Sequence, residues 1–287
     1  MNSSTRIRRP ASGPAAILLV VLALAWLALV IGAPMATVAV SALSRGVTTF
    51  LAAFREPDAQ AAIRLTLVVA AIAVPLNAAF GLAAAWSIAK FDFKGKALLL
   101  TIIDLPLSMS PVVSGLVWVL LFGARGWFGG ELDAAGIKVI FALPGIVLGT
   151  ILVTVPLIAR ELIPLMTEQG ADEELAAVTL GAGSWTVFRR VTLPNIRWAL
   201  LHGVLLCNAR AMGEFGAVSV LSGHIRGLTE TLPLHVEALY NDYDFVGAFS
   251  VATLLGGLAI VTLVAKTMLE HFIRAADRAR AIEEAGA

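Results

Sequence analysis

Charge is scarce in this chain, and so are the residues that build cross-linked or reactive sites. Of its 287 residues only 14% are Asp, Glu, Lys or Arg, against 59% hydrophobic, and the mean hydropathy is +0.87. Soluble domains carry roughly a quarter charged residues, because a chain folded in water must cover itself with polar surface. The shortage points to a bilayer as the solvent. Cysteine is reduced to Cys207, which excludes a disulfide framework and a Cys-based metal centre and leaves a small buried apolar side chain as its ordinary reading. His202, His224, His235 and His271 have no ligand spacing, so no metal is expected, and they form no catalytic cluster. The formal net charge of +1 offers no electrostatic footprint for nucleic acid.

What the chain has instead is long apolar runs. A membrane-spanning helix needs roughly 20 mostly apolar residues, and six windows qualify: Ala15–Ser44, Leu65–Ala89, Ala97–Ala124 with Asp104 inside it, Val139–Ala159, Trp198–Gly223 with Arg210 and Glu214 inside it, and Phe245–Ala265. The first follows Arg6, Arg8 and Arg9, yet its apolar run is about twice the length of a signal-peptide core, so it is read as an uncleaved span. The expected fold class is all-α, a polytopic membrane protein with six transmembrane helices.

Lys and Arg in short loops set the orientation. With the N-terminus inside, the cytoplasmic side holds Arg6, Arg8, Arg9, Lys90, Lys94, Lys96, Arg160, Arg189, Arg190, Arg197, Lys266, Arg274, Arg278 and Arg280, fourteen of the 21. The outer side holds six, namely Arg45, Arg55, Arg64, Arg125, Lys138 and Arg226, and Arg210 lies within a span. Both termini are therefore expected in the cytoplasm. The organisation follows as residues 1–60 for the N-terminus, first span and outer loop, 61–270 for the helical core, and 271–287 for a cytoplasmic tail.

The most informative cytoplasmic segment is 168–194. It reads as a short helix rich in acid and alanine, a glycine break at Gly181 and Gly183, and a second short helix capped by Ser184. Trp185, Phe188 and Val191 recur every three residues, with Arg189 and Arg190 off that stripe. Leu193 and Pro194 then open the fifth span, where proline at the first turn sacrifices no hydrogen bond.

Here the sequence resembles the permease subunits of ABC importers. Their cytoplasmic signature is Glu-Ala-Ala, three residues, Gly, nine residues, then Ile-any-Leu-Pro. Ala176 and Ala177, then Gly181, then Val191-Thr192-Leu193-Pro194 reproduce that spacing, while Leu175 stands in the acidic slot with Glu173 and Glu174 just before it. The resemblance implies the type I importer permease fold, and a coupling helix that docks in a groove on an ATPase subunit. It makes Glu173, Glu174, Ala176, Ala177, Gly181, Leu193 and Pro194 the candidate coupling residues. The stretches 104–115, 144–149, 160–166 and 208–220 look more narrowly like the W-type permease of sulfate/thiosulfate importers, over roughly residues 60–270. Molybdate permeases share much of Arg210-Ala-Met-Gly-Glu-Phe-Gly-Ala217, so molybdate or tungstate is the alternative cargo.

Such a subunit implies partners: a T-type permease, two ABC ATPase subunits, a periplasmic sulfate-binding protein and the lipid bilayer, at the bacterial inner membrane. This chain carries no phosphate loop of its own; Gly95-Lys96-Ala97, the nearest fragment, lacks the first glycine and the hydroxyl. It is expected to be no enzyme and to hold no cofactor, with ATP and Mg on the partner ATPase. A secondary carrier would call for inverted repeats and ion-coordinating residues at the midplane, and neither is visible.

Ionisable groups inside spans are functional candidates by default. Arg210 and Glu214 are four apart and can pair on one helical face. Two readings stand: a pair facing the pathway, where Arg210 offers positive potential to a passing dianion, or a structural pair that fixes packing or gating. Asp104 would repel an anion and is read as structural, partnering a cation. Pro106 and Pro111 flank Ser108 and Ser110, a pattern that should break or kink a helix. Ser108, Ser110 and Ser114 are therefore candidate pathway residues. Gly145 and Gly149 form a Gly-x3-Gly pair that either permits close helix approach or is chance in a glycine-rich chain.

Overall fold

A computed structural model describes residues 14–286, so Arg6, Arg8 and Arg9 of the expected cytoplasmic N-terminus lie outside the described residues. The same holds for the side chains of Lys266, Arg274, Arg278 and Arg280. The described residues form helices and no strand. Four helices are long and apolar enough to cross a membrane, and two bent pairs raise the number to six if each pair is one span.

The first window folds as α1 (Pro14–Leu27) and α2 (Ala33–Leu43), joined through a π turn over Ala28–Gly32. Pro34 follows that turn. Proline deprives a helix of one bond and its ring pushes on the preceding turn; a wider π turn absorbs the conflict without a break. The helix α3 (Val47–Ala53) then leads to α4 (Pro57–Lys90). With 34 residues, α4 is about 51 Å long at 1.5 Å per residue, well beyond a hydrocarbon core of roughly 30 Å, so its ends project past the apolar layer.

The third window is not straight. It folds as α5 (Lys96–Ser108) and α6 (Pro111–Phe122), bent by 111° at Met109 and Ser110. Pro111 starts α6 and forces the preceding residue out of the helical region: Ser110 sits at φ −63°, ψ 136°. The short α7 (Gly129–Ala134) follows, then α8 (Leu143–Gln169), which runs ten residues beyond the apolar window and carries Arg160 within the helix.

Segment 168–194 contains α9 (Asp172–Thr179) and α10 (Ser184–Val187), and a π turn over Phe188–Thr192 leads into α11 (Leu193–Met212). Two expectations change here. Gly183, not Ser184, occupies the cap position, and no side chain caps that end. The short second helix and the fifth span are one continuous helix over Ser184–Met212, so Pro194 lies inside it and is accommodated by the π turn, in which Leu193 N–H bonds back to Phe188. The fifth window itself breaks after Met212, and α12 (Gly216–Ser222) departs at 50°. A further helix α13 (Leu232–Asn241) precedes α14 (Phe245–Gly286), whose helix continues past the sixth window.

The core sits where α4, α8 and α11 meet, with Ile158, Leu162, Met166, Ile196 and Cys207 fully buried. The two glycines of the Gly-x3-Gly pair have different jobs. A Cβ on Gly149 would meet Leu221 Cδ1 at 2.5 Å, so Gly149 lets α8 approach α12, whereas one on Gly145 would strike the Val139 carbonyl 2.5 Å away in the loop before its own helix.

Candidate coupling segment and pathway residues

The end of α9 is a Schellman motif. Gly181 has φ +85°, and its N–H bonds to Val178 O at 2.9 Å while Ala182 N–H bonds to Ala177 O at 3.0 Å. A non-glycine residue at that φ would be strained, so the glycine of the signature is required by the turn itself. Leu180 projects just before it, 89% exposed, beside the exposed Leu175 and Val178. Ala176 is exposed and Ala177 half-buried, leaving room for a partner to seat against this helix.

The acidic first turn of α9 is turned to its own chain. Glu174 Oε2 accepts from Lys90 Nζ at 2.7 Å, at the end of α4, and its Oε1 accepts from Thr192 Oγ1 at 3.0 Å. Lys90 also donates to the Gly170 carbonyl at the end of α8. Glu173 accepts from Asn195 Nδ2, in the first turn of α11 beside Leu193 and Pro194. These contacts bring the C-terminal ends of α4 and α8 and the N-terminal end of α11 to one level. Aromatic rings reinforce the level: Phe188 packs on Trp86 of α4 and stacks with Trp185, with centroids 5.7 Å apart in both pairs.

Among the pathway candidates, Arg210 and Glu214 do pair, with Nη1 to Oε2 at 2.8 Å. The pair bridges the break between α11 and α12 rather than sitting on one continuous helix. The Glu214 side chain is 0% exposed and Arg210's is 42% exposed; Glu214 Oε1 accepts the Ala217 N–H at 3.0 Å and so caps the start of α12. Ser108 and Ser110 are exposed at the α5–α6 bend. Ser114 departs from expectation: it is fully buried, and its hydroxyl returns to the Ser110 carbonyl at 3.3 Å, so within this chain it does not face an open surface. Asp104 has its cation, since Arg160 Nε lies 2.7 Å from its Oδ1.

Sequence reasoning from charges and apolar windows missed Asn77. It is buried in α4 and donates to Thr154 Oγ1 of α8 at 2.7 Å and to the Ile151 carbonyl at 3.3 Å. It also approaches Cys207 Sγ of α11 at 3.9 Å. One neutral polar residue does not interrupt a hydropathy window; a scan for lone amides inside spans would have found it. His202 pairs with Glu161 at 2.7 Å and His235 with Glu230 at 3.1 Å. No group of three His, Cys, Asp or Glu able to hold a metal occurs among the described residues.

The profile of the binding-protein-dependent transport system inner membrane component matches residues 77–277. The chain belongs to that family of transport permeases. Relatives include the sulfate transport system permease protein CysW of Synechococcus elongatus, 53% identical over 88% of this chain and 88% of that protein. The Escherichia coli CysW protein is 53% identical over 83% of this chain and 81% of its own length. The E. coli sulfate permease protein CysT is 34% identical over 75% and 78%. In three dimensions the permease fold matches a chain in the crystal structure of a bacterial alginate ABC transporter bound to its periplasmic protein, with a TM-score of 0.73 at 16% identity over 90% of this chain and 93% of that one.

Proposed function

We propose that this permease forms half of the translocation pathway of an ATP-driven sulfate importer, in the bacterial inner membrane with both termini cytoplasmic. The observation that carries the reading is the 53% identity to sulfate permeases over most of both chains. Sulfate is favoured over molybdate or tungstate because these relatives are sulfate permeases; thiosulfate shares sulfate's tetrahedral dianionic form. The other half of the pathway is a T-type permease, a role supported by the likeness to CysT.

Two ATPase subunits would bind ATP and Mg, and a periplasmic binding protein would supply most of the selectivity. The core is residues 61–270, preceded by the first span and followed by a tail at 271–287. The coupling segment 168–194 meets the ATPase through Leu175 and Val178 of α9 and Leu180 just past its end, whose exposure leaves an apolar surface. Nucleotide-driven closure of the ATPases would push this segment and switch the pathway between its two openings.

The test is ATP-dependent uptake of sulfate into proteoliposomes holding this chain with its partner permease, ATPases and binding protein, with thiosulfate and molybdate as competitors. Uptake that needs the ATPase and is blocked by thiosulfate supports the reading; uptake of molybdate alone, or transport without ATPase, overturns it. Gly181→Asp places a side chain at φ +85° and abolishes uptake while the subunits still assemble; normal uptake in that variant refutes the coupling role.

A further inference from the structure

The chain connects the coupling helix α9 directly to two spans, α8 before it and α11 after it. The structure adds a third. Lys90, the last residue of α4, lies 84 positions away from Glu174, yet its ammonium is 2.7 Å from Glu174 Oε2 and also holds the Gly170 carbonyl. The side chains of this pair are only 9% and 16% exposed, unlike a solvated surface pair, whose contribution is small. Both carboxylate oxygens of Glu174 are used, one on Lys90 and one on Thr192. A charge-assisted hydrogen bond in such a screened position is shorter and stronger than a neutral one.

The sequence signature makes the arrangement more pointed. Position 175, which the resemblance makes the acidic slot of the signature, holds a leucine that is 60% exposed. The acid one residue earlier faces inward.

We propose that Lys90 is a positioning residue for energy coupling. By holding Glu174 and the Gly170 carbonyl together, it fastens α9 to the inner end of α4, so that a displacement of α9 reaches α4 at the same moment as α8 and α11. This rests on the coupling role assigned to 168–194. Because α4 packs along α8 and α11 through the main core, a latch at its inner end moves the bundle as one body. Without it, α9 swings on its two chain connections and part of the ATP-driven stroke is lost as slack.

The experiment uses the assembled importer in nanodiscs and proteoliposomes and compares Lys90→Gln, Lys90→Arg, Glu174→Lys and the exchange Lys90→Glu/Glu174→Lys. Two quantities are read: sulfate imported per ATP hydrolysed, and hydrogen exchange of the α9 amides, which needs no substrate. Lys90→Gln is expected to lower the import ratio and to speed α9 exchange, the latter by about tenfold, the size of one lost charge-assisted bond. Lys90→Arg restores most of both, and the exchange variant does better than Glu174→Lys alone. An unchanged ratio and unchanged α9 exchange in Lys90→Gln overturn the proposal. So does an exchange variant no better than Glu174→Lys, which also decides the matter if Lys90→Gln fails to assemble. If the unaltered importer moves no sulfate, the transport reading falls, and α9 exchange with ATP hydrolysis still decides on the latch.

Discussion

Replacing Gly115 by alanine tests how the two broken spans lock together. The added Cβ on α6 would lie 2.8 Å from the Ala217 carbonyl oxygen, 3.1 Å from Val220 Cβ and 3.2 Å from Ala217 Cα, all on α12. Relief requires α6 and α12 to separate by about half an ångström, enough to forfeit a quarter or more of the dispersion energy of each contact along the seam. The start of α12 resists, because Ala217 N–H is held by Glu214 and Glu214 by Arg210.

Overpacking of this kind costs about 1–3 kcal/mol, which for a chain of this size lowers the melting temperature by about 2–10 °C. The assay is thermal unfolding of the purified importer in nanodiscs, with Gly257→Ala as reference, since a Cβ there meets nothing within 4 Å of this chain. If Gly115→Ala melts with Gly257→Ala, the tight α6–α12 seam is wrong.

Glu214→Gln keeps an oxygen for the Ala217 cap and should lose only the half-exposed ion pair, whereas Glu214→Ala also loses the cap, adding about 1 kcal/mol; comparing their melting temperatures separates the two contributions, and equal values would refute the cap. Asn77→Ala and Thr154→Val are expected to be coupled by roughly 0.6 kcal/mol, the size of a typical interhelical hydrogen bond in a membrane, in a double-mutant cycle read by denaturant unfolding, and strict additivity would count against the bond.

All six apolar windows were legible, because apolar length is a local property that the bilayer imposes. The direction of a helix within a window was only partly so. Pro106, Pro111 and the serines between them announced the break in the third span, yet no residue pattern states an angle of 111°. In the fifth span the signal was present in Gly213 and Gly216 on either side of Glu214, but the i, i+4 spacing of the charges suggested an unbroken face. The pairing of Arg210 with Glu214 survived because four residues across a capped break still bring the side chains together.

Asp104 called for a cation and found it in Arg160, a residue that loop counting had placed on the cytoplasmic flank. In segment 168–194 the spacing located α9 and its glycine turn; the pairing of Glu174 with Lys90 was invisible, since Lys90 is brought there only by the packing of α4 against α8 and α11. The buried position of Ser114 was equally out of reach, because α6 packs against α12, a segment about a hundred residues away.

The π turn at Phe188–Thr192 also fixes a phase. An α-helix rotates about 100° with each residue, and a π turn accommodates one residue beyond the α-helical count, so the five residues Phe188–Thr192 set which way Trp185 points relative to the buried face of α11. Removing Arg190 would restore the α-helical count and leave the aromatic stripe in phase with Trp86, whereas inserting one further residue would turn the stripe by about 100° away from it. Segment 168–194 and the span that follows it are thus indexed to each other as the teeth of two gears are, and an insertion there would slip the gear without breaking either wheel.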